Sequence, residues 1–189
     1  MTAPVVLSLC DYTGVWSRPY VQAGYEVVQV DIKRGQDIRL FSHLKRPVRG
    51  VLAAPPCTHF ANSGARWWEV KGEQALLEGL GLVDACLRVI ATHDPVWWVL
   101  ENPVGRLTRY LGPPAAAFDP YEYGGWPGGE NDNYTKRTLL WGRFMMPEKC
   151  PIPPSDGSRM HRLPPSADRQ ALRSVTPAGF ALAFFTANL

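Results

Sequence analysis

The sequence lacks the features that would place the chain in a membrane or on a secretory route. Its longest apolar runs, around Val51–Pro56 and Val96–Leu100, are far shorter than the roughly 20 residues that span a bilayer. Val5–Leu9 is long enough for a strand but not for the apolar core of a signal peptide. We therefore expect a cytoplasmic protein that does not contact a membrane.

Cysteine pairs are also missing. The four cysteines, Cys10, Cys57, Cys86 and Cys150, are scattered and form no CxxC pair. This spacing argues against a zinc knuckle or a disulfide framework and is typical of a reducing compartment. We expect no bound metal.

The overall composition is that of an ordinary globular protein. The 189 residues are 46% hydrophobic and 20% charged, which suits one domain, residues 1–189, with a substantial core. The net charge of +3 permits a polyanionic partner without requiring one. We expect a monomer.

Short apolar segments alternate with helical patterns along the chain. Predicted strands are Val5–Leu9, Tyr25–Asp31, Gly50–Ala54 and Val96–Leu100, and predicted helices are Trp16–Ala23, Gly72–Thr92 and Pro177–Asn188. In the longest helix Leu76, Leu80, Val83, Leu87 and Ile90 recur at helical spacing and form one apolar stripe. This alternation predicts an α/β fold with a mostly parallel sheet and flanking helices.

Polar clusters closely follow the predicted strands. These clusters are Asp11–Gly14, Asp31, Pro55–Cys57 and Glu101–Asn102. In parallel sheets ligands bind beyond the carboxyl ends of the strands. We therefore expect four separate segments to converge on one site.

Cys57 stands out among the cysteines. A lone cysteine is usually a small buried hydrophobic residue. Pro55 and Pro56, however, stiffen the backbone before it and end the strand, because neither can donate to a ladder. That position favours reaction over packing.

Five motifs in order give the chain its resemblance to a known family. Pro55–Cys57 with Phe60–Ala61 resembles the Pro-Cys motif of the DNA cytosine C5 methyltransferases, and Glu101–Pro103 resembles their Glu-Asn motif. The remaining three motifs are Leu9–Gly14 with Val27–Ile32 and Gly35–Ile38 for the cofactor, Tyr134–Thr138 with Trp141–Gly142 for the basic motif, and Ser174–Pro177 with Phe180–Ala183 for the final motif. The chain looks similar to compact forms often seen in phage genomes. The resemblance implies a Rossmann-like S-adenosylmethionine-dependent fold.

The resemblance also implies residue roles. Cys57 would be the nucleophile that adds to cytosine C6, Glu101 would act at N3, and Asn102 would hold the Pro-Cys loop. S-adenosylmethionine would be bound by Asp11, Tyr12, Gly14, Trp16, Asp31, Ile32, Asp37, Ile38, Pro55, Ser174 and Val175. DNA would be contacted by His59, Arg66, Lys136, Arg137 and Arg143, with His59 as a catalytic base being the weaker alternative. Trp67 and Trp68 would pack the loop or stack on bases.

The sequence departs from the family at three places. Where the family has Phe-x-Gly-x-Gly-Gly, Cys10–Val15 retains only Gly14, so Tyr12 must take glycine-like φ values or the loop must run differently. Residues 143–170 stand where the family has a recognition domain, which predicts a short target or help from an accessory protein. Arg173 replaces an asparagine of the final motif.

Three alternatives stay open. The same chemistry can act on RNA, since nothing here distinguishes a reader of the 2′-hydroxyl. Methylation of a free cytidine nucleotide would leave the basic Tyr134–Arg143 segment without a role. A catalytically silent nucleic-acid-binding module is favoured by the altered glycine loop and opposed by the intact Pro-Pro-Cys and Glu-Asn-Pro motifs.

Overall fold

The protein is a mixed α/β structure built on one six-stranded sheet. The computed structural model describes residues 2–166 and 169–189. In these residues the strands are β1 Val5–Leu9, β2 Glu26–Val30, β3 Gly50–Ala53, β4 Trp97–Pro103, β5 Ala116–Phe118 and β6 Thr138–Arg143. Their order across the sheet is β2-β1-β3-β4-β6-β5.

The first four strands form the predicted parallel half of the sheet. β1 pairs with β2 and β3, and β3 pairs with β4, all in parallel. β6 pairs antiparallel with both β4 and β5, a return that was not predicted. In the β4–β6 pairing Thr138 lies opposite Pro103 and Arg143 lies opposite Trp98. The two ends of β6 therefore lie at opposite ends of the sheet along the strand direction. Thr138 is near the carboxyl ends of the parallel strands, and Arg143 is near their amino ends.

Helices cover both faces of the sheet. The described α-helices are α1 Arg18–Gln22, α2 Trp68–His93, α3 Thr108–Leu111, α4 Arg159–Arg162, α5 Arg169–Ser174 and α6 Ala178–Ala187. One core joins Leu7, Leu9, Val51 and Leu100 to the predicted apolar stripe of α2. The opposite core joins Val6, Leu52 and Val99 to α1 and α6. Residues of one strand alternate between these two cores, as the pleat requires.

The longest helix differs from its prediction at its start. α2 begins at Trp68, four residues earlier than predicted, and contains a kink at Gly72, where φ is 72°. Its end agrees with the prediction. The helix stops after His93 because Asp94 takes a left-handed conformation with φ of 39° and Pro95 follows.

Much of the proline-rich region packs away from the parallel half of the sheet. The backbone amides of Cys150 and Ile152 donate to the carbonyls of Glu122 and Tyr121. Trp126 Nε1 donates to the Glu148 carbonyl at 3.0 Å. These bonds tie residues 148–152 to the 120–126 loop, so this part of the predicted recognition segment is an ordered edge of the fold.

Candidate active site

A large cleft opens beyond the carboxyl ends of the four parallel strands. Its volume is about 980 Å³, and its walls include Asp11, Asp31, Cys57 and Glu101. These residues come from the four segments that follow or end β1 to β4. The predicted convergence of four strand ends on one site is therefore seen in the structure.

A buried hydrogen bond joins the Cys57 segment to the Glu101 segment. Asn102 is 1% exposed, and its Nδ2 donates to the Pro55 carbonyl at 2.9 Å. Pro55 ends the approach from β3, and Cys57 begins a short 3-10 turn, Cys57–His59, that faces the cleft. The structure thus gives Asn102 the contact that its predicted loop-holding role requires.

The chain after Cys57 is held against the chain after β4. The backbone amides of Asn62 and Arg106 donate to the carbonyls of Val104 and Phe60, each at 2.9 Å. Arg106 Nε also donates to the His59 carbonyl at 2.7 Å, and its guanidinium lies 4.6 Å from the centre of the Trp68 ring. The Cys57 turn is therefore fixed on both sides.

Gly105 permits this close approach. A Cβ at this position would overlap the Phe60 carbonyl. Only glycine lets the two backbones meet here.

Opposing influences act on the Cys57 thiol. Desolvation within the cleft raises its pKa, and the nearby Glu101 carboxyl raises it further. Lys136 and Arg173 act in the opposite direction and lower the pKa, because their positive charges favour the thiolate. The reactivity of Cys57 therefore depends on the cations that face it.

Glu101 is poised to hold a proton. It lies within β4, half-buried, and its Oε2 is buried with no hydrogen-bond partner among the described residues. Desolvation raises the pKa of its carboxyl, Lys136 lowers it, and Asp11 raises it. An unpartnered carboxyl oxygen on the wall of an open cleft indicates a ligand group as its partner.

The loop after β1 runs differently from a triple-glycine loop. Positive φ falls on Cys10 at 58° and on Gly14 at 66°, and Tyr12 does not have it, so of the two expected alternatives it is the different course of the loop that the structure shows. Asp11 organises the loop from within: its carboxylate accepts hydrogen bonds from Ser8 Oγ and the Gly14 amide, each at 2.8 Å. Gln29 closes the loop from β2, because its amide donates to the Tyr12 carbonyl at 3.1 Å.

The predicted cofactor residues divide into two groups. Asp11, Tyr12, Asp31, Ile32, Pro55 and Ser174 line the cleft. Asp31 accepts from the Lys33 amide through Oδ1 at 2.8 Å, which leaves Oδ2 without a partner among the described residues. Asp31 lines the cleft, and its second carboxylate oxygen is a candidate hydrogen-bond acceptor for a bound ligand.

The second group does not line the cleft. Ile38 is 3% exposed and belongs to the core, and Asp37 pairs with Arg39 at 2.6 Å. Trp16 is 1% exposed and packs against Phe180 and Phe184, reaching only a water-sized void beside Glu101. These placements argue against the contacts predicted for the three residues. Gly14 and Val175 also lie outside the lining.

Two predicted DNA contacts, Arg66 and Lys136, line the cleft. Arg137 lies outside it and pairs with Asp119 at 3.3 Å. Arg143 lies at the opposite end of the sheet, where it pairs with Asp94 at 3.4 Å, because β6 runs antiparallel to β4. A role for Arg143 beside Cys57 does not fit this geometry.

His59 turns away from the cleft. Its Cβ lies beside Gly79 of α2, and its Nδ1 is buried with no partner among the described residues. Desolvation, followed by the charge of Lys71, lowers the pKa of its imidazole. His59 therefore lies outside the lining of the cleft, although it belongs to the same short turn as Cys57.

Several cleft residues were missed from the sequence. His161, Arg169 and Arg173 line the wall contributed by the C-terminal segment. Arg173 had been noted only as a departure from a motif. No local pattern distinguishes these residues from ordinary surface charges, because the folding of the chain brings them to the cleft from more than a hundred residues beyond Cys57.

Two negative observations concern the described part of the chain. Residues 2–166 and 169–189 contain no group of three or more acidic, histidine or cysteine side chains able to hold a metal ion. No helix in the same ranges is both long and apolar enough to cross a membrane.

Comparison with solved structures identifies the kind of fold. The chain is similar to the crystal structure of a prophage-encoded E. coli protein described as a candidate DNA modification methyltransferase, with a TM-score of 0.52 and 15% sequence identity. The similarity covers 75% of this chain and 47% of that protein, so the chain matches about half the length of the solved protein. No family model and no curated protein matches the sequence. The fold is therefore that of a methyltransferase structure.

Proposed function

We propose that this chain is a DNA cytosine C5 methyltransferase that uses S-adenosylmethionine. The observation that carries the proposal is the meeting of Cys57 and Glu101 on one cleft, with Asn102 tying their two segments together. A thiol beside a carboxyl group that retains its proton suits attack on an electron-poor heterocycle. The methyltransferase fold gives this pair its context.

Cys57 is the proposed nucleophile. Cytosine C5 is too poor a nucleophile to take a methyl group directly. After the thiol loses its proton, Cys57 Sγ forms a bond to C6, and the electron pair of the C5–C6 double bond becomes available at C5. The methyl group would come from S-adenosylmethionine, whose sulfur would keep the electron pair of the broken S–CH3 bond. The C5 proton then passes to solvent, the Sγ–C6 bond breaks with its electron pair returning to Cys57 as thiolate, and the C5–C6 double bond forms again. Covalent catalysis of this kind divides one difficult step into easier ones.

Glu101 is the proposed proton donor at cytosine N3. Attack of the thiolate places negative charge on the ring, and a proton or a strong hydrogen bond at N3 offsets that charge. Because burial raises the pKa of Glu101, its carboxyl keeps a proton to a higher pH than an exposed glutamate. Lys136, which lines the same cleft, adds positive charge on this side.

The methyl donor fits the half of the cleft beyond β1 and β2. S-adenosylmethionine supplies an electrophilic methyl group on a sulfonium. Asp31 Oδ2 is free to accept from the ribose hydroxyls, and Tyr12 and Ile32 offer apolar surface beside it. Ser174 lies on the facing wall. These residues replace the glycine-rich contacts that the altered Cys10–Val15 loop does not provide.

DNA is the proposed substrate because the cleft is wide and its rim carries Arg66, Arg169 and Arg173. A target base inside a duplex must be flipped out to reach Cys57, and binding of phosphates by basic side chains offsets that cost. RNA remains the alternative substrate. A silent binding module would have no use for both Cys57 and Glu101 at one site.

Methyl transfer from tritium-labelled S-adenosylmethionine to DNA tests the proposal. Wild-type protein should label DNA, and Cys57→Ala should abolish labelling without loss of the fold. Cys150→Ala is the matched control, because Cys150 is also an exposed thiol but packs against Gly125 outside the cleft. Label entering RNA alone would move the proposal to RNA, and no label in either would contradict it.

A further inference from the structure

Arg173 links the C-terminal segment to the loop that follows Cys57. It lies on α5, half-buried on the cleft wall, and its Nη2 donates to Ser63 Oγ at 3.1 Å. Its own carbonyl accepts from Lys136 Nζ at 2.8 Å, so its backbone is fixed as well. A guanidinium is thereby held across the mouth of the site by a single bond to a hydroxyl.

Ser63 and Arg66 share one face of a helix. Both belong to the 3-10 helix Asn62–Trp67, and both are exposed on the lining of the cleft. Side chains three residues apart eclipse each other in a 3-10 helix. Ser63 and Arg66 therefore lie on the same side of this helix, and Arg173 reaches Ser63 from α5.

Arg66 and Arg173 line the cleft and, unlike five arginines elsewhere on the fold, form no ion pair among the described residues. Arg39, Arg46, Arg137, Arg143 and Arg159 each pair with a carboxylate. Over residues 2–166 and 169–189 no carboxylate lies within ion-pair distance of Arg66 or Arg173. Their charges are thus available to an anion from outside, with the Ser63 hydroxyl bonded to Arg173 and the Arg66 guanidinium 5.1 Å from the centre of the Trp67 ring.

We propose that Ser63, Arg66 and Arg173 bind one backbone phosphate of the nucleic acid whose base enters the cleft. The inference rests on the proposed function for the presence of a nucleic acid. It deepens that proposal, because it joins Ser63 and Arg173 to the expected DNA contact Arg66 and assigns all three to one phosphate. The Arg173–Ser63 bond holds the site ready, and the phosphate takes its place between the two side chains. A guanidinium and a hydroxyl are ordinary phosphate ligands.

Arg173 is one of two cations that favour the thiolate of Cys57. When Arg173 binds a phosphate at the cleft mouth, it acts as a positioning residue. It fixes the nucleic-acid strand on the wall that faces Cys57 and does not touch the reacting atoms.

The test is DNA binding as a function of salt, measured without methyl donor. The probe is a short fluorescein-labelled duplex with one cytosine in the labelled strand, and anisotropy gives its affinity. Each phosphate contact contributes about 0.9 to the slope of log affinity against log salt. Arg173→Gln should therefore lower the slope by about 0.9 and weaken binding roughly 10-fold at low salt. Arg173→Lys should keep the slope.

Arg143→Gln is the matched control, because it removes the same charge at the opposite end of the sheet. It should leave slope and affinity at wild-type values. Ser63→Ala should weaken binding without changing the slope, because it removes a hydroxyl but no charge. Unlabelled dCMP at the same nucleotide concentration should compete poorly, since the site is inferred to hold a phosphodiester of a strand.

The outcomes separate this inference from the proposed function. Equal slopes for Arg173→Gln and Arg143→Gln would overturn the phosphate site, whether or not the enzyme methylates DNA. Absence of DNA binding by the wild type, or dCMP competing as well as DNA, would also overturn it. If only Arg173→Gln lowers the slope and the wild-type protein transfers no methyl group, the phosphate site is supported and the proposed methyltransferase activity is contradicted.

Discussion

Glu101 is the residue whose proposed role depends on how strongly its carboxyl holds a proton. Burial raises its folded-state pKa above that of a glutamate in the unfolded chain. Below the unfolded pKa both states are protonated and the group costs nothing. As pH rises above that value the unfolded state loses its proton first, so Glu101 destabilises the fold increasingly.

Glu101→Gln should therefore become more stable relative to wild type as pH rises. Thermal unfolding at pH 4 and at pH 8 measures this difference, which should favour the variant more at pH 8. Methyl transfer should fall about 100-fold or more, the usual contribution of a positioned general acid. A stability difference that does not change with pH, or a fully active variant, would contradict the role given to Glu101.

Asp31 offers a second comparison between single side chains. Asp31→Ala should weaken the binding of S-adenosylmethionine by about 1.5–3 kcal/mol, the usual loss for a charged hydrogen bond. Asp37→Ala is the control: Asp37 lies outside the cleft and pairs with Arg39, so affinity should not change. Isothermal titration calorimetry measures both. If the effects were reversed, the cofactor would lie toward Ile38 and the assignment of the cleft would be wrong.

At the scale of elements, Asn102 joins the end of β4 to the chain leaving β3. Asn102→Ala removes its bond to the Pro55 carbonyl in a buried setting, which should cost about 1–3 kcal/mol of stability. Asn133→Ala also removes an amide hydrogen bond, to Ser155 Oγ, but at an exposed position, and should cost less than about 0.5 kcal/mol.

Denaturant unfolding gives the two stabilities. Methyl transfer should also fall in Asn102→Ala at temperatures where that variant is folded, because the Cys57 turn loses a support. An Asn102→Ala protein as active as Asn133→Ala would show that the bond has no part in placing Cys57.

The parallel half of the sheet was predictable from local patterns. Each of β1 to β4 contains a short apolar run followed closely by polar residues, and the apolar stripe of α2 predicts a long helix. β5 and β6 were missed because their segments are short or mixed in polarity: β6 becomes a strand by pairing with β4, and β5 by pairing with β6. The antiparallel course of β6 places Arg143 away from the cleft. No local feature of the sequence predicts that course.

The candidate site was predictable to a similar depth. Cys57, Glu101 and Asp31 were identified because they end strands, and the topology then brought them together. Trp16 and Ile38 were assigned to the cofactor by motif position, although their side chains pack into the two cores. Arg173 was missed because its significance depends on Ser63, which lies 110 residues away in sequence.

At the scale of the whole molecule, the small size of the recognition segment predicts relaxed target choice. Residues 148–152 pack against the fold, and among the described residues of the 143–170 segment those that line the cleft are His161, Ser166 and Arg169. Each good base contact gives about 1–3 kcal/mol of discrimination, so few contacts specify few bases. Sequencing of converted genomic DNA from cells expressing the protein should show methylation at many sites that share one or two neighbouring bases. A strict motif of about four or more base pairs, read without a partner protein, would contradict this expectation.

The most direct test of the central claim is the covalent bond between Cys57 and the base. DNA carrying 5-fluorocytosine should be trapped in the presence of S-adenosylmethionine, because fluorine at C5 cannot leave as a proton does. Mass spectrometry of the digested adduct should find the nucleotide on Cys57. An adduct on Cys86 or Cys150, or methylation of ordinary DNA with no trapped adduct, would contradict the mechanism proposed for this site.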